Sequence, residues 1–104
     1  MGFFRNLYTI AKEVRKKSAE DRSIQIFKKN KGNEIYWQQL IDMIAQAQHW
    51  RIVKNQCLLN GKQKGFEMAS ENEQGYLEML DRVGKEVGVD KQELDRRIAK
   101  IFGR

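Results

Sequence analysis

One histidine, His49, and one thiol, Cys57, are the side chains in this 104-residue sequence best suited to nucleophilic chemistry. Brought together they would make a thiolate and its base. Each stands beside large apolar residues, His49 before Trp50 and Cys57 before Leu58 and Leu59. In that setting a lone cysteine serves as a small hydrophobe. The acids Glu71, Glu73, Glu78, Asp81, Glu86, Glu93 and Asp95 are dispersed among Lys and Arg. They read as capping and solubilising charges and not as a paired acid/base site. One His and one Cys give no ligand spacing for a metal, and no Gly-rich turn leads from a strand into a helix to cradle a nucleotide. No enzyme activity, catalytic residue, metal or cofactor is expected.

The stronger signal is positive charge and where it lies. The chain carries 20 Lys/Arg against 14 Asp/Glu, a formal net charge of +6. Residues 1–33 hold nine of those cations (Arg5, Lys12, Arg15, Lys16, Lys17, Arg22, Lys28, Lys29, Lys31) against three acids (Glu13, Glu20, Asp21), which accounts for the whole surplus of +6. A field concentrated at one end favours an anionic partner there. The clusters Arg15-Lys16-Lys17 and Lys28-Lys29-Asn30-Lys31, with Lys62 and Lys64, are candidates for a phosphate-contacting surface. Lys and Arg neutralise phosphate and release counterions without reading sequence.

These side chains must be positioned by one small, mainly α-helical domain spanning residues 1–104, with four or five helices. A chain of this length supports a single core, and proline, the commonest helix breaker, is absent. Over residues 3–17, Phe3, Phe4, Leu7, Ile10, Ala11 and Val14 fall on one helical face with Arg5, Lys12, Glu13 and Lys16 opposite. Ser18, followed by Glu20 and Asp21, reads as the cap of a new helix. Ile24, Ile26 and Phe27 fit either a strand or a helix, and helix is preferred. Asn30-Lys31-Gly32-Asn33 is a loop with Asn33 as N-cap.

Trp37, Leu40, Ile41, Ile44 and Ala47 form the next apolar stripe. Arg51 would fall on it, so the pattern is expected to end near His49-Trp50. Residues 56–69 allow a short β-hairpin turning at Gly61 to Gly65, or equally a helix end, a basic loop and a helix start. Ser70-Glu71-Asn72-Glu73 and Asp90-Lys91-Gln92-Glu93 have capping-box form. Tyr76, Leu80, Val83 and Val87 line one C-terminal helix, and Leu94, Ile98, Ile101 and Phe102 line the other.

The stretch from Val83 to Ile98 resembles a DNA-binding helix-turn-helix. Gly84 stands at the small-residue position, Gly88 at the turn, and Val89 and Leu94 at the apolar positions. The resemblance implies a reading helix with Gln92, Arg96 and Lys100 facing outward toward bases or phosphates. Arg97 occupies a position where the motif places an aliphatic residue. An ordinary αα-hairpin, stopped by Gly88 and capped by Asp90, explains the same pattern.

The sequence therefore points to a non-catalytic binding protein. The first expectation is association with nucleic acid, or with an acidic protein surface, through Arg15, Lys16, Lys17, Lys28, Lys29, Lys31, Lys62, Lys64, Gln92, Arg96 and Lys100. The alternative is a protein–protein adaptor or homodimer using Phe3, Phe4, Leu7 and Trp50. A third reading is attachment to an anionic membrane surface by the N-terminal amphipathic helix. One cysteine excludes an intramolecular disulfide. No apolar run approaches the ~18 residues of a membrane span, and no signal-peptide pattern is present. A cytoplasmic setting is the expectation.

Overall fold

The computed structural model describes the backbone of residues 2–101 and the side chains of residues 15–101. Among the described residues four α-helices follow one another: α1 (Gly2–Lys29), α2 (Glu34–Leu59), α3 (Gln63–Arg82) and α4 (Lys91–Ile101), with a π-helical turn (Val83–Val87) closing α3. Among the described residues there is no strand.

The β-hairpin allowed for residues 56–69 is not formed. None of those residues is β-branched, so nothing there favours an extended ladder over helix. Backbone bonds close α2 instead. Lys62 N–H donates to Cys57 O at 2.9 Å and Gly61 N–H to Leu58 O at 3.3 Å, with Gly61 at φ +67°. This Schellman pairing needs a residue at positive φ, which glycine supplies without strain.

Two further expectations change. α1 does not restart at Ser18, because neither Gly nor Pro interrupts residues 11–22 and most of them are strong helix formers. Ser70 caps nothing either, since it lies inside α3. The caps at Asn33 and Asp90 do form: Asn33 Oδ1 accepts Tyr36 N–H at 3.2 Å, and Asp90 Oδ1 accepts Gln92 N–H and Glu93 N–H at 3.1 and 3.2 Å.

α2 and α3 form an antiparallel hairpin, and α1 lies against its open end. The core is Ile24 and Phe27 of α1, Tyr36, Trp37 and Leu40 of α2, and Met79, Val83 and Val87 of α3 and its π turn. Ile24 and Phe27 are buried while Ile26 between them is 46% exposed, which resolves the strand–helix ambiguity in favour of helical period. Leu94 and Val89 pack on this core from the α4 side, but no α4 residue is fully buried.

At the π turn, Gly88 N–H bonds to Val83 O at 3.0 Å and Gly88 takes φ +89°. Its carbonyl accepts a hydrogen bond from Tyr36 Oη at 2.9 Å, pinning the start of the α3–α4 turn to α2. Burial pushes the Tyr36 hydroxyl above its ordinary pKa, so it stays a donor at neutral pH. Tyr36→Phe leaves the carbonyl without this partner and is expected to cost about 1 kcal/mol of unfolding free energy, measured by urea denaturation.

Candidate nucleic-acid interface

Along α1 the residues opposite Ile24 and Phe27 are Arg15, Arg22 and Lys29. They are spaced i, i+7, i+14, two helical turns each, so at 1.5 Å per residue they form a ridge with steps of ~10.5 Å. All three are exposed, as are Lys17 and Lys28, which project from the half of α1 that carries Ile24, and Lys31 in the following turn. Among the described residues, none of these six makes an ion pair. Lys28 does lie in the field of Glu86 and helps hold that carboxyl down. Lys16 behaves differently, reaching Glu78 Oε2 at 3.7 Å from α1 to α3. Arg22 was absent from the sequence-based candidates. Its signal was the seven-residue spacing from both Arg15 and Lys29.

Most cations beyond the first loop are engaged by acids. Arg51 Nε and Lys54 Nζ of α2 donate to the two oxygens of Glu73 at 2.9 and 2.6 Å. Arg82 donates to Glu86 at 2.7 Å, Asp21 at 2.9 Å and Glu20 at 3.4 Å, tying α1 to the end of α3. Lys85 pairs with Asp81 at 3.0 Å. Arg97 stacks 4.9 Å from the Trp37 ring centroid and bonds Glu93 and Glu34 at 2.8 and 3.1 Å. Arg96 bonds Glu93 as well.

These pairs revise the helix-turn-helix resemblance. Gly84 touches nothing: a Cβ built there meets no atom within 4 Å, so it is not a point of close helix contact. Arg97 is held inward on Trp37 where the motif has an aliphatic residue. Arg96 is occupied by Glu93, while Gln92 and Lys100 are exposed.

Lys31 and Arg96 flank one crevice beside Gly88 and Asp90, and Lys100 borders a second with Arg96 between α4 and α2. The structure thus joins the loop end of α1 to α4. Lys62 and Lys64 are not brought in. They lie beyond the far end of α2, whose 26 residues span ~39 Å. His49 and Cys57 also stay apart, two turns or ~12 Å along the same helix. The Cys57 thiol packs on Gly65, where a Cβ would come within 2.8 Å of its sulfur. Trp50 is half-buried, its ring edge-on to His49 at 5.1 Å. The side chains of Phe3, Phe4 and Leu7 lie outside the described residues. No helix among the described residues is long and apolar enough to cross a membrane.

Sequence reasoning also missed what Arg51 meant. In register with the α2 stripe but itself exposed, it sits at the rim of the α2–α3 seam and bonds Glu73, 7% exposed, across the hairpin, and α2 continues to Leu59. The Glu73 carboxyl is held below the usual range, first by the hydrogen bond from Lys54, then by that from Arg51, against the opposing effect of burial. Arg82 does the same for Glu86, and Arg96 with Arg97 for Glu93. Carboxyls depressed in the folded state contribute stability that is present above the unfolded value of about 4.3 and lost as pH falls through the lower folded value. Unfolding midpoints in urea should therefore fall as pH drops below about 4.3, and Glu73→Gln should flatten that fall while lowering stability at pH 7.

Comparison with protein-family models, curated proteins and solved structures returns no match.

Proposed function

We propose that this is a non-catalytic, nucleic-acid-associated protein that lays α1 along a phosphate backbone. The observation that carries the reading is the straight ridge Arg15–Arg22–Lys29 on the face of α1 opposite the core. The exposed Lys17, Lys28 and Lys31, on the other half of α1 and in the following turn, add to the positive field of this end, in a molecule whose other cations are largely tied to acids. A duplex presents a charge every ~1.7 Å of axis, so a ridge of ~21 Å always finds phosphates within side-chain reach. Such contact is insensitive to base sequence.

Lys31 shares a crevice with Arg96, and Arg96 a second with Lys100, apart from the ridge. With Arg96 bonded to Glu93 and Asp95 exposed beside it, α4 does not act as a reading helix. Lys62 and Lys64, at the far end of the hairpin, contribute only long-range attraction, which salt screens beyond ~10 Å.

Titration of fluorescently labelled DNA and RNA duplexes of unrelated sequence at low salt tests the reading. Saturable binding of similar affinity across sequences is expected. The absence of binding at low salt overturns it.

A further inference from the structure

A heptad seam runs along α2 on the side it turns away from α3. Gln38, Ala45, Ile52 and Leu59 recur at seven-residue intervals, with Ile41, Gln48 and Asn55 interleaved at alternating steps of three and four. The seam lies about 130° round the helix from Arg51 and Lys54, which bond Glu73 of α3. Apart from the half-buried Ile41 these residues are exposed, Ile52 at 58% and Leu59 at 85%. None carries a charge, in a chain that is 33% charged. The solvent face of a lone helix is where charges collect, as Arg15, Arg22 and Lys29 do on α1. An uncharged heptad seam is the pattern of a helix that meets another helix.

The two halves of the seam differ in shape. The first is recessed: Trp37, Gln38, Ile41 and Ala45 form one wall of a groove of about 890 Å³, and α4 forms the other, with Ile101 60% exposed. The second projects, and Leu59 is the most exposed large apolar side chain among the described residues. A projecting half and a receiving half on one helix face complement each other under a two-fold axis, as a self-complementary interface requires.

We infer that α2 pairs antiparallel with α2 of a second copy of this chain, Leu59 of each entering the α2–α4 groove of the other at Ile41. With Leu59 level with the partner's Ile41, the axis crosses α2 near residue 50. Asn55 then meets the small Ala45, and Ile52 meets Gln48. No charged side chain stands on the seam, so two chains of net charge +6 approach along a face that adds no repulsion of its own. A parallel pairing would set Gln48 on Gln48 and Asn55 on Asn55 and leave the groove empty. The overlap is ~27 Å long, and each copy contributes both a projecting half and a groove. Together these offer area on the order of the ~800 Å² that each partner gives to a standard interface. The single chain also leaves burial to be completed, since its radius of gyration is 16.5 Å where a compact chain of this size has ~13 Å. The pairing uses α2 and α4 and no residue of the α1 ridge, so it stands or falls apart from the nucleic-acid reading.

Sedimentation equilibrium of the full chain, free of nucleic acid, is expected to show a dimer. Ile52→Arg should raise its dissociation constant roughly 30-fold or more, because the change acts twice across the axis. The site is exposed, so helical circular dichroism should be undiminished. Met68→Arg, at a 53% exposed apolar site on α3, should leave the dimer intact. Cysteine pairs read the direction. In a Cys57→Ser background, Ile41→Cys with Leu59→Cys should oxidise to a covalent dimer, while neither change alone does. Within one chain the two positions are ~27 Å apart, so that disulfide forms only between copies. A wild-type monomer at the highest soluble concentration overturns the inference. So does a dimer that survives Ile52→Arg, one lost equally on Met68→Arg, or one that crosslinks through Leu59→Cys alone, as a parallel pair would.

Discussion

Replacing Arg15, Arg22 and Lys29 together by glutamate is expected to reduce affinity for duplex DNA and RNA by ~100-fold or more near 0.1 M salt. Each substitution removes a phosphate contact and adds a repulsive charge on the same line, so the three changes act in concert along ~21 Å of helix. All three side chains are exposed and lie opposite Ile24 and Phe27. The fold should therefore survive, with helical circular dichroism unchanged. The control is Lys62→Glu with Lys64→Glu, at the far end of the α2–α3 hairpin, where only a small loss is expected. A control loss of about two-thirds of the ridge variant's in log K, in proportion to the charge reversed, would mean that net charge alone drives binding and that the ridge has no special part. Anisotropy titrations of one labelled duplex with wild type and both variants separate these outcomes.

The second large effect is on stability. Phe27 is 3% exposed, and its ring meets Tyr36 edge-on at 5.8 Å between centroids. With Ile24 it is the apolar anchor that holds α1 to the hairpin, since residues 15–19 of α1 are all exposed. Truncation to Ala removes a buried aromatic from a site that cannot collapse freely and should cost about 3–5 kcal/mol. A domain of this size has a total stability of ~5–15 kcal/mol, so the loss is a large share of the whole. Ile26→Ala, one residue away on the exposed face, should change stability by no more than ~0.5 kcal/mol. Urea denaturation of the two variants reads the rotational setting of α1 directly. Similar costs at 26 and 27 would contradict the helical register, and with it the outward direction of the ridge.

Much of this architecture was legible because local signals agreed with one another. The Asn33 and Asp90 caps, the Gly88 turn and the Trp37–Leu40–Ala47 stripe each have a short-range cause, and each forms. The failures share a different cause, because each depended on a partner distant in sequence. Arg51 looked like the end of an apolar stripe because Glu73, the acid that accommodates it, lies 22 residues away. Ser18 and Ser70 have capping chemistry, yet the flanking residues propagate helix and no break exists for them to cap. The 56–69 segment was ambiguous because Gly61 suits a hairpin turn and a helix C-terminus equally. The absence of β-branched residues there was the available discriminator.

The candidate surface divides in the same way. The basic bias of residues 1–33 was plain, but which cations remain unpaired was not, because that is fixed by pairings across helices. Arg82 gathers Glu20 and Asp21 from α1, and Arg97 gathers Glu34 from α2. Those long-range pairs use acids that could otherwise have neutralised the ridge. They also engage Arg97, which the helix-turn-helix resemblance placed at an aliphatic position. Lys62 and Lys64 were grouped with Lys28–Lys31 on charge alone, and helix length separates them.

The measurement that bears most directly on phosphate contact through α1 is the salt dependence of duplex binding by the wild-type chain. Three phosphate contacts, from Arg15, Arg22 and Lys29, predict a slope of log K against log salt of about −3 on B-DNA, at ~0.9 per contact. A slope near zero, with affinity retained at high salt, would contradict it.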